Sequence, residues 1–330
     1  MRYLLRRVGF YLVALWASVT LNFIIPRLMP GDPAVAFLAR MQGHNITQSQ
    51  MDALRTLFGV QTNVPVWVQY GQYLNNLLHG NLGVSSSLFP ETVTQIIGEH
   101  MPWTLGLVGI AVMISFALGT VIGIVIGWKR GSWLDSVLPP ILTFLSAIPY
   151  FWMALALVYL LGLVLNWFPI GDGYDLYSTT PGLSLDFIAS VVQHGILPVL
   201  TIVLAALASW VLPMRNTMIT TLSEDYVLMA QAKGLSQKRV MFRYAARNAI
   251  LPSITSFSMS LGLIVGGSLL TEMVFNYPGI GLTLFNAVGN NDYSLIEGSF
   301  LIIAIAVLAA NFLSDILNAI LDPRVRQGRS

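Results

Sequence analysis

Six apolar segments, each long enough to cross a membrane as a helix, dominate this sequence. A helix needs about 20 mostly apolar residues to cross the hydrocarbon core of a bilayer. Segments of about that length lie at residues 8–29, 103–128, 137–165, 195–213, 250–271 and 298–321. Because lipid offers the backbone no hydrogen bonds, only helices and closed barrels can span it. The sequence therefore predicts an all-α integral membrane protein with six transmembrane helices.

The composition agrees with this fold class and excludes several kinds of site. Of the 330 residues, 55% are hydrophobic and 10% are charged, whereas soluble domains carry about 25% charged residues. The chain has no cysteine, which excludes disulfides, thiolate catalysis and cysteine-held metal or iron–sulfur sites.

The positions of lysine and arginine predict the orientation of the spans. Cytoplasmic loops of membrane proteins are enriched in these residues. With the N-terminus inside, only Arg27, Arg40 and Arg55 of the 17 basic residues lie outside. We therefore expect both termini in the cytoplasm.

The first segment has a second interpretation, a cleaved signal peptide. An arginine-rich start precedes it and an Ala-x-Ala triplet follows at residues 34–36, as in secretory signals. A retained span is favoured, because Lys129 and Arg130 lie inside only if an even number of crossings precedes them.

We divide the chain into three parts. Residues 1–29 hold the cytoplasmic N-terminus and the first span, residues 30–102 an extracytoplasmic helical region, and residues 103–330 a five-helix transmembrane core. In the middle part, Thr47 and Gln50 have the spacing of a capping box. A later run there places Trp67, Tyr70, Leu74 and Leu77 on one helical face. A cap over the bundle and a docking surface for an outside partner both fit this pattern.

A polar, basic segment at about residues 214–250 separates the fourth and fifth spans. Ser223 is suited to begin a helix and Gly234 to end one, which predicts a short helix over residues 223–233. A second helix is expected from near Ser236 to Pro252.

The side chains of the short helix favour docking of a cytoplasmic partner. Asp225 lies in the first turn, where the helix dipole favours an anion. Tyr226, Ala230 and Lys233 are expected on one face. The alternative is a solvated basic loop beside anionic lipid headgroups.

Glycines at four-residue spacing predict close helix packing. They are Gly119, Gly123 and Gly127 in the second span, and Gly262 and Gly266 in the fifth. Packing within the chain is favoured, and a subunit interface is the alternative.

Few charged residues lie within the predicted spans. Glu272, at the outer end of the fifth span, is a candidate for the transport pathway or its gate, although it could instead be solvated. Pro278 and Gly279 follow as candidates for the same role. Asn311 and Asp315 share a face of the sixth span and are candidates for interhelical hydrogen bonds.

Two rival functions find little support in the residues. An intramembrane hydrolase would need a metal or nucleophile motif such as HExxH, and none occurs among the four histidines. An ion-driven transporter is expected to show internal repeats and intramembrane charges, which are not prominent. No lysine follows a glycine, so the chain lacks a Walker A loop for ATP.

The segment DYVLMAQAKGLSQKRVMFRYAARNAILP, residues 225–252, resembles the coupling loop of ABC importer membrane subunits. It lacks the glutamate that names this loop and has Leu228 there, as is usual in the branch that imports peptides. MRYLLRRVG at the start, PGDP at 30–33, GNLGVS at 80–85, VFNYPGIG at 274–281 and the ending LSDILNAILDPRVR also resemble the B-type permeases of dipeptide and oligopeptide importers.

This resemblance implies a type I ABC importer permease in a bacterial or archaeal cytoplasmic membrane. Such a subunit is not an enzyme and binds no cofactor, because ATP and Mg are held by two partner ATPases. A second permease, an extracytoplasmic substrate-binding protein and membrane lipid are the other expected partners, with no nucleic acid. Coupling to the ATPases would involve Asp225, Tyr226, Ala230, Lys233 and Gly234. Peptides are the favoured substrates, followed by oligosaccharides and then nickel.

Overall fold

The computed structural model describes residues 2–40, 47–60, 64–263 and 269–321, and over these ranges the chain is helical without a strand. The helices are α1 (Arg2–Leu28), α2 (Pro33–Arg40), α3 (Gln48–Leu57), α4 (Val66–Leu78), α5 (Val93–Trp128), α6 (Trp133–Ala147), α7 (Tyr150–Leu157), α8 (Leu185–Leu222), α9 (Asp225–Ala232), α10 (Gln237–Arg239), α11 (Arg247–Ala249), α12 (Leu251–Leu263), α13 (Leu269–Val274), α14 (Ile280–Gly289) and α15 (Tyr293–Leu321). Two π-helical turns, Val158–Val164 and Val240–Ala246, follow α7 and α10.

In the described ranges, four helices are long and apolar enough to cross a membrane, and a bent pair makes a fifth candidate. The four are Arg7–Leu28, Val93–Trp128, Leu185–Leu222 and Tyr293–Leu313. The chain is therefore an all-helical, multi-pass membrane protein. The remaining predicted span, 250–271, includes residues 264–268, which lie outside the described residues, as does Gly266 of its glycine pair.

The predicted third span is a helix pair with a sharp bend. Trp133–Ala147 and Tyr150–Val164 meet at 97°. Ile148 has an extended backbone (φ −77°, ψ 123°) and Pro149 is the N-cap of α7. The proline ring disfavours a helical conformation in the residue before it, so the helix breaks at Ile148.

The described helices fall into two compact units, which we treat separately. The first comprises described parts of Met1–Thr104, Val265–Leu269 and Pro278–Ala309. The second comprises described parts of Leu105–Ile264, Leu270–Tyr277 and Ala310–Ser330. Helices α5 and α15 contribute residues to both units.

The first unit packs the start of α5 against α14 and α15. Its buried core is formed by Val93, Ile96, Ile97, Ile280, Leu284, Ala287, Leu295 and Ile296. Asp292 is fully buried beside this core and accepts hydrogen bonds from the amide and the hydroxyl of Ser87, at 2.8 and 2.7 Å. The carboxylate thereby ties the loop before α5 to the start of α15.

The region after the first span contains several short helices. The predicted capping box is confirmed at α3, where Thr47 accepts from the Gln50 amide and the Gln50 side chain accepts from the Thr47 amide. The predicted common face of α4 is not buried throughout, because Trp67 is 76% exposed while Tyr70 packs against α1. Residues 93–102 continue directly into the second span, because Pro102 is accommodated within α5.

In the second unit, the glycines of α5 pack against α8. A Cβ atom at Gly119, Gly123 or Gly127 would lie 2.3, 2.7 or 2.8 Å from the Cβ atom of Trp210, Met214 or Met218, respectively. The glycines recur every four residues along α5, and the residues they contact recur every four residues along α8. The two helices therefore pack closely over successive turns. This confirms the expected packing of these glycines within the chain.

We expect Gly123→Val to destabilise the second unit by about 1–3 kcal/mol, because the added methyl groups must force α5 away from α8. The decrease would be measured as a lower thermal unfolding temperature of the purified chain in detergent. Gly109→Val is the matched control on the same helix, since no atom lies within 4 Å of its added Cβ. Equal losses in the two variants would contradict the packing explanation.

Candidate functional site

Helix α9 follows α8 after a two-residue turn. Ser223 is the C-cap of α8, and Glu224 is the N-cap of α9 with an extended backbone (φ −74°, ψ 141°). The amides of Val227 and Leu228 donate to the Glu224 carbonyl at 2.9 and 3.2 Å. So short a connection means that a displacement of α9 acts directly on the end of α8.

The predicted start of the short helix was wrong. Ser223 belongs to the end of α8, where its hydroxyl donates to the Thr220 carbonyl at 2.7 Å. Helix α8 extends well past the predicted span and takes up the serine that was expected to begin α9. Helix α9 therefore has 8 residues, from Asp225 to Ala232.

Gly234 ends α9 as predicted. Lys233 is the C-cap, and Gly234 follows with φ +71°, while its amide donates to the Gln231 carbonyl at 2.9 Å. No atom lies within 4 Å of a Cβ built at Gly234. The position therefore requires glycine for its left-handed backbone and not for lack of space.

One face of α9 is buried in an apolar cluster, which we call the α9 base. Val227 and Ala230 are 0% and 2% exposed. The α9 base consists of Ile124, Met214, Met218, Val227, Ala230, Val240, Ala245, Ala246 and Ala249. These residues come from α5, α8, α9, the second π-helical turn and α11, so five segments of the chain meet under one short helix.

Ala230 lies on the buried face, unlike Tyr226 and Lys233. Tyr226 is 39% exposed and Lys233 is exposed, so Ala230 is the buried member of the three residues expected on one face. A small side chain at Ala230 lets α9 lie close to the α9 base. Any role of Ala230 is therefore exerted through packing.

The outward surface of α9 combines apolar and basic side chains. Leu228 and Met229 are 49% and 61% exposed. Exposed basic residues follow in the next turns of the chain: Lys233, Lys238, Arg239, Arg243 and Arg247. Methionine and arginine side chains are enriched in protein interfaces.

Arg215 differs from these exposed cations, because it forms an ion pair with Asp135. The Asp135 side chain is 7% exposed and also accepts from the Gly131 amide at 2.9 Å. This pair joins the first turn of α6 to α8. Sequence reasoning missed Asp135, although its position three residues after the N-cap Ser132 marks it as a first-turn anion of α6.

Glu272 is fully buried in α13, in the second unit. The loop after it is held in place, because the Asp172 amide donates to the Phe275 carbonyl at 2.8 Å and the Asn276 side chain donates to Asp172 at 2.6 Å. Burial, together with the charge of Glu272, raises the pKa of Tyr277 to about 12. Solvation of Glu272, the simpler sequence expectation, does not fit its burial.

The other candidate residues lie in separate places. In the first unit, Gly279 is the N-cap of α14 with φ −96°, and Pro278 is half-buried before it. In the second unit, Asn311 and Asp315 are half-buried on α15. Their assigned roles stay predictions.

Comparison with known proteins places this architecture in a family. The family model described as binding-protein-dependent transport system inner membrane component matches residues 119–327. The chain belongs to this family. The match includes the glycine stripe of α5, α9 and the whole α9 base.

Individual members of the family match this permease over nearly its full length. A permease protein of Brucella suis biovar 1 is 36% identical over 326 residues, with 99% of each chain covered. The di/tripeptide transport system permease protein DppB of Pseudomonas aeruginosa is 33% identical over 339 residues, again with 99% coverage of both. The oligopeptide transport system permease protein AppB of Bacillus subtilis is 31% identical over 327 residues, with 98% of each covered.

We expect Ala230→Leu to loosen α9 from the rest of the permease, because overpacking of a buried site costs about 1–3 kcal/mol. Trypsin, which cleaves after Lys233, Lys238 and Arg239, would measure the change as faster cleavage of the native permease. Ala232→Leu is the matched control, since Ala232 is exposed on the same helix. If the two variants were cleaved at the same rate, the inward packing of Ala230 would not determine the position of α9.

Proposed function

We propose that this permease forms half of the translocation pathway of an ATP-driven importer of di- or oligopeptides. The observation that carries the substrate class is the full-length similarity to permeases named for di/tripeptide and oligopeptide transport. Two cytoplasmic ATPases would supply the energy, a substrate-binding protein would deliver the peptide from outside, and a second, similar permease would complete the pathway.

Six spans with both termini in the cytoplasm are part of this proposal. The described candidate spans, together with the predicted span at 250–271, make six. With this topology, α9 and its exposed cations lie on the cytoplasmic side, as the positive-inside rule requires. The cell membrane of a bacterium or an archaeon is the proposed location.

Helix α9 is the proposed contact with an ATPase. The apolar side chains of Leu228 and Met229 would enter a groove of the ATPase, with Tyr226 and Lys233 at its rim and Asp225 at the N-terminus of the helix. Because the opposite face is embedded in the α9 base, a push on α9 would move α8 and α5 together. Closure of the ATPases on ATP would thus reach the spans as a rigid displacement.

Glu272, Pro278 and Gly279 are the proposed contributors to the pathway or its outer gate. Burial of a carboxylate is costly in a membrane protein, and such groups usually serve transport. Asn311 and Asp315 are assigned to interhelical hydrogen bonds.

Because Glu272 is proposed to act in the pathway and not in assembly, Glu272→Gln should change the transport rate while leaving the amount of assembled complex unchanged.

We expect Gly234→Val to abolish the stimulation of ATPase activity by substrate-loaded binding protein. A β-branched residue in the left-handed region costs about 1–2 kcal/mol, so the end of α9 would change conformation. Substrate-stimulated ATP hydrolysis in the reconstituted transporter measures this loss. Gly234→Asn should retain stimulation, because asparagine tolerates the left-handed conformation.

Gly131→Val is the matched control for Gly234→Val. Gly131 also has a positive φ (+81°) and open space around its Cβ position, but it lies in the turn before α6. If both valine variants lost stimulation equally, general strain and not α9 would explain the defect. If Gly234→Val kept full stimulation, the assignment of α9 to coupling would be wrong.

The substrate class is tested by ATPase stimulation in the complete transporter with its own binding protein. A panel of di- to hexapeptides should stimulate hydrolysis, whereas oligosaccharides and nickel should not. Stimulation by oligosaccharides alone would retain the coupling mechanism and overturn the peptide assignment.

A further inference from the structure

Helix α4 packs alongside α1 at a depth where lipid is expected. The hydroxyl groups of Tyr70 and Thr20 are 2.8 Å apart. The Phe23 ring lies 5.2 Å from the ring of Tyr70 and 5.4 Å from that of Tyr73. Four side chains thus join the middle of α4 to the last third of the first membrane-spanning helix.

The charges of α1 fix the depth of this contact. At about 1.5 Å per residue, the helix from Arg7 to Arg27 is about 30 Å long, which equals the hydrocarbon thickness of a bilayer. Arg27 marks the far end, where it donates to Glu297 and to the Gly59 carbonyl. Thr20 therefore lies about 10 Å inside that boundary.

The exposed surface of α4 is divided between an apolar and a polar flank. Trp67, Leu74 and Leu78 fall on one side of the helix, since residues seven and eleven apart nearly coincide at 100° per residue. Trp67 and Leu78 are 76% and 85% exposed. On another side, Gln69, Gln72 and Asn76 line a cavity of about 320 Å³.

The polar flank of α4 faces this cavity. Arg27 and Glu297 also line it, and so does Tyr73, whose buried hydroxyl has no hydrogen-bond partner. Polar side chains at membrane depth are tolerated where they face such a cavity. The apolar flank of α4 does not line this cavity and is therefore free to contact lipid.

The charge pattern favours lipid over a protein partner on the apolar flank. No Asp, Glu, Lys or Arg occurs between Arg55 and Glu91. The neighbouring surface of α1 is also apolar and exposed, with Leu21 54% and Ile25 46% exposed. The apolar flank of α4 and this exposed apolar surface of α1 thus belong to the same first unit. Tryptophan, present on the flank as Trp67, is typical of the membrane interface.

We propose that α4 is inserted in the bilayer leaflet at the Arg27 end of α1, with Trp67, Leu74 and Leu78 in contact with lipid. On the proposed topology this is the outer leaflet. A depth of about 10 Å is within the range of interfacial amphipathic helices. Helix α4 is then embedded in the membrane, where it packs against α1 and supports it. The cavity beside α4 is then filled with water within the same leaflet.

The absence of cysteine makes this proposal directly testable. Single-cysteine variants Trp67→Cys and Leu78→Cys would be spin-labelled in the assembled transporter, reconstituted into vesicles with partner subunits free of accessible cysteine. Power-saturation EPR would compare collision of the label with oxygen, which concentrates in lipid, and with a water-soluble nickel chelate. Leu21→Cys on α1 serves as the lipid reference, and Ala53→Cys, exposed on α3, as the water reference.

We expect labels at positions 67 and 78 to be more accessible to oxygen than to the nickel chelate, as at position 21, and opposite to position 53. Greater accessibility to the chelate at position 67 would overturn the proposal and favour a water-exposed docking surface. Low accessibility to both reagents would also overturn it, because a protein would then cover the flank. Each variant must keep substrate-stimulated ATPase activity for its spectrum to count.

Discussion

The close approach of α5 and α8 is the contact on which the described part of the second unit around α9 depends. The glycines of α5 let Met214 and Met218 of α8 approach so closely that a Cβ atom on either glycine would clash with the methionine. The same two methionines are fully buried in the α9 base. Met214 and Met218 therefore contribute both to the packing of α5 against α8 and to the cluster under the helix that is proposed to contact an ATPase.

Lipid makes this arrangement physically necessary. Between transmembrane helices the hydrophobic effect provides little attraction, because lipid tails are as apolar as the side chains they would replace. Close van der Waals packing and a few polar links must supply the stability instead. The glycine stripe provides the packing, and the Asp135–Arg215 pair provides a polar link at the end of α8. The glycine stripe reaches the α9 base through Met214 and Met218.

The features that the sequence predicted correctly are those with a local cause. The capping box of α3 and the end of α9 at Gly234 depend on neighbouring residues alone, and the glycine stripe depends on helical spacing. The start of α9 was missed because the length of α8 decides whether Ser223 ends one helix or begins the next. The burial of Glu272 and the inward position of Ala230 depend on segments far away in the chain, which no local pattern reveals. The exposure of Trp67 was not predicted, since amphipathic spacing alone does not show whether an apolar face is covered.

Photo-crosslinking from α9 would test the central claim most directly. A photoreactive amino acid in place of Met229, which is 61% exposed, would be activated in the assembled transporter. The same group at Leu183, 96% exposed in the loop before α8, would lie on the opposite side of the membrane in the proposed topology. The account predicts an adduct with an ATPase subunit from position 229 and none from position 183. An ATPase adduct from position 183, or its absence from position 229, would contradict both the coupling assignment and the orientation on which it depends.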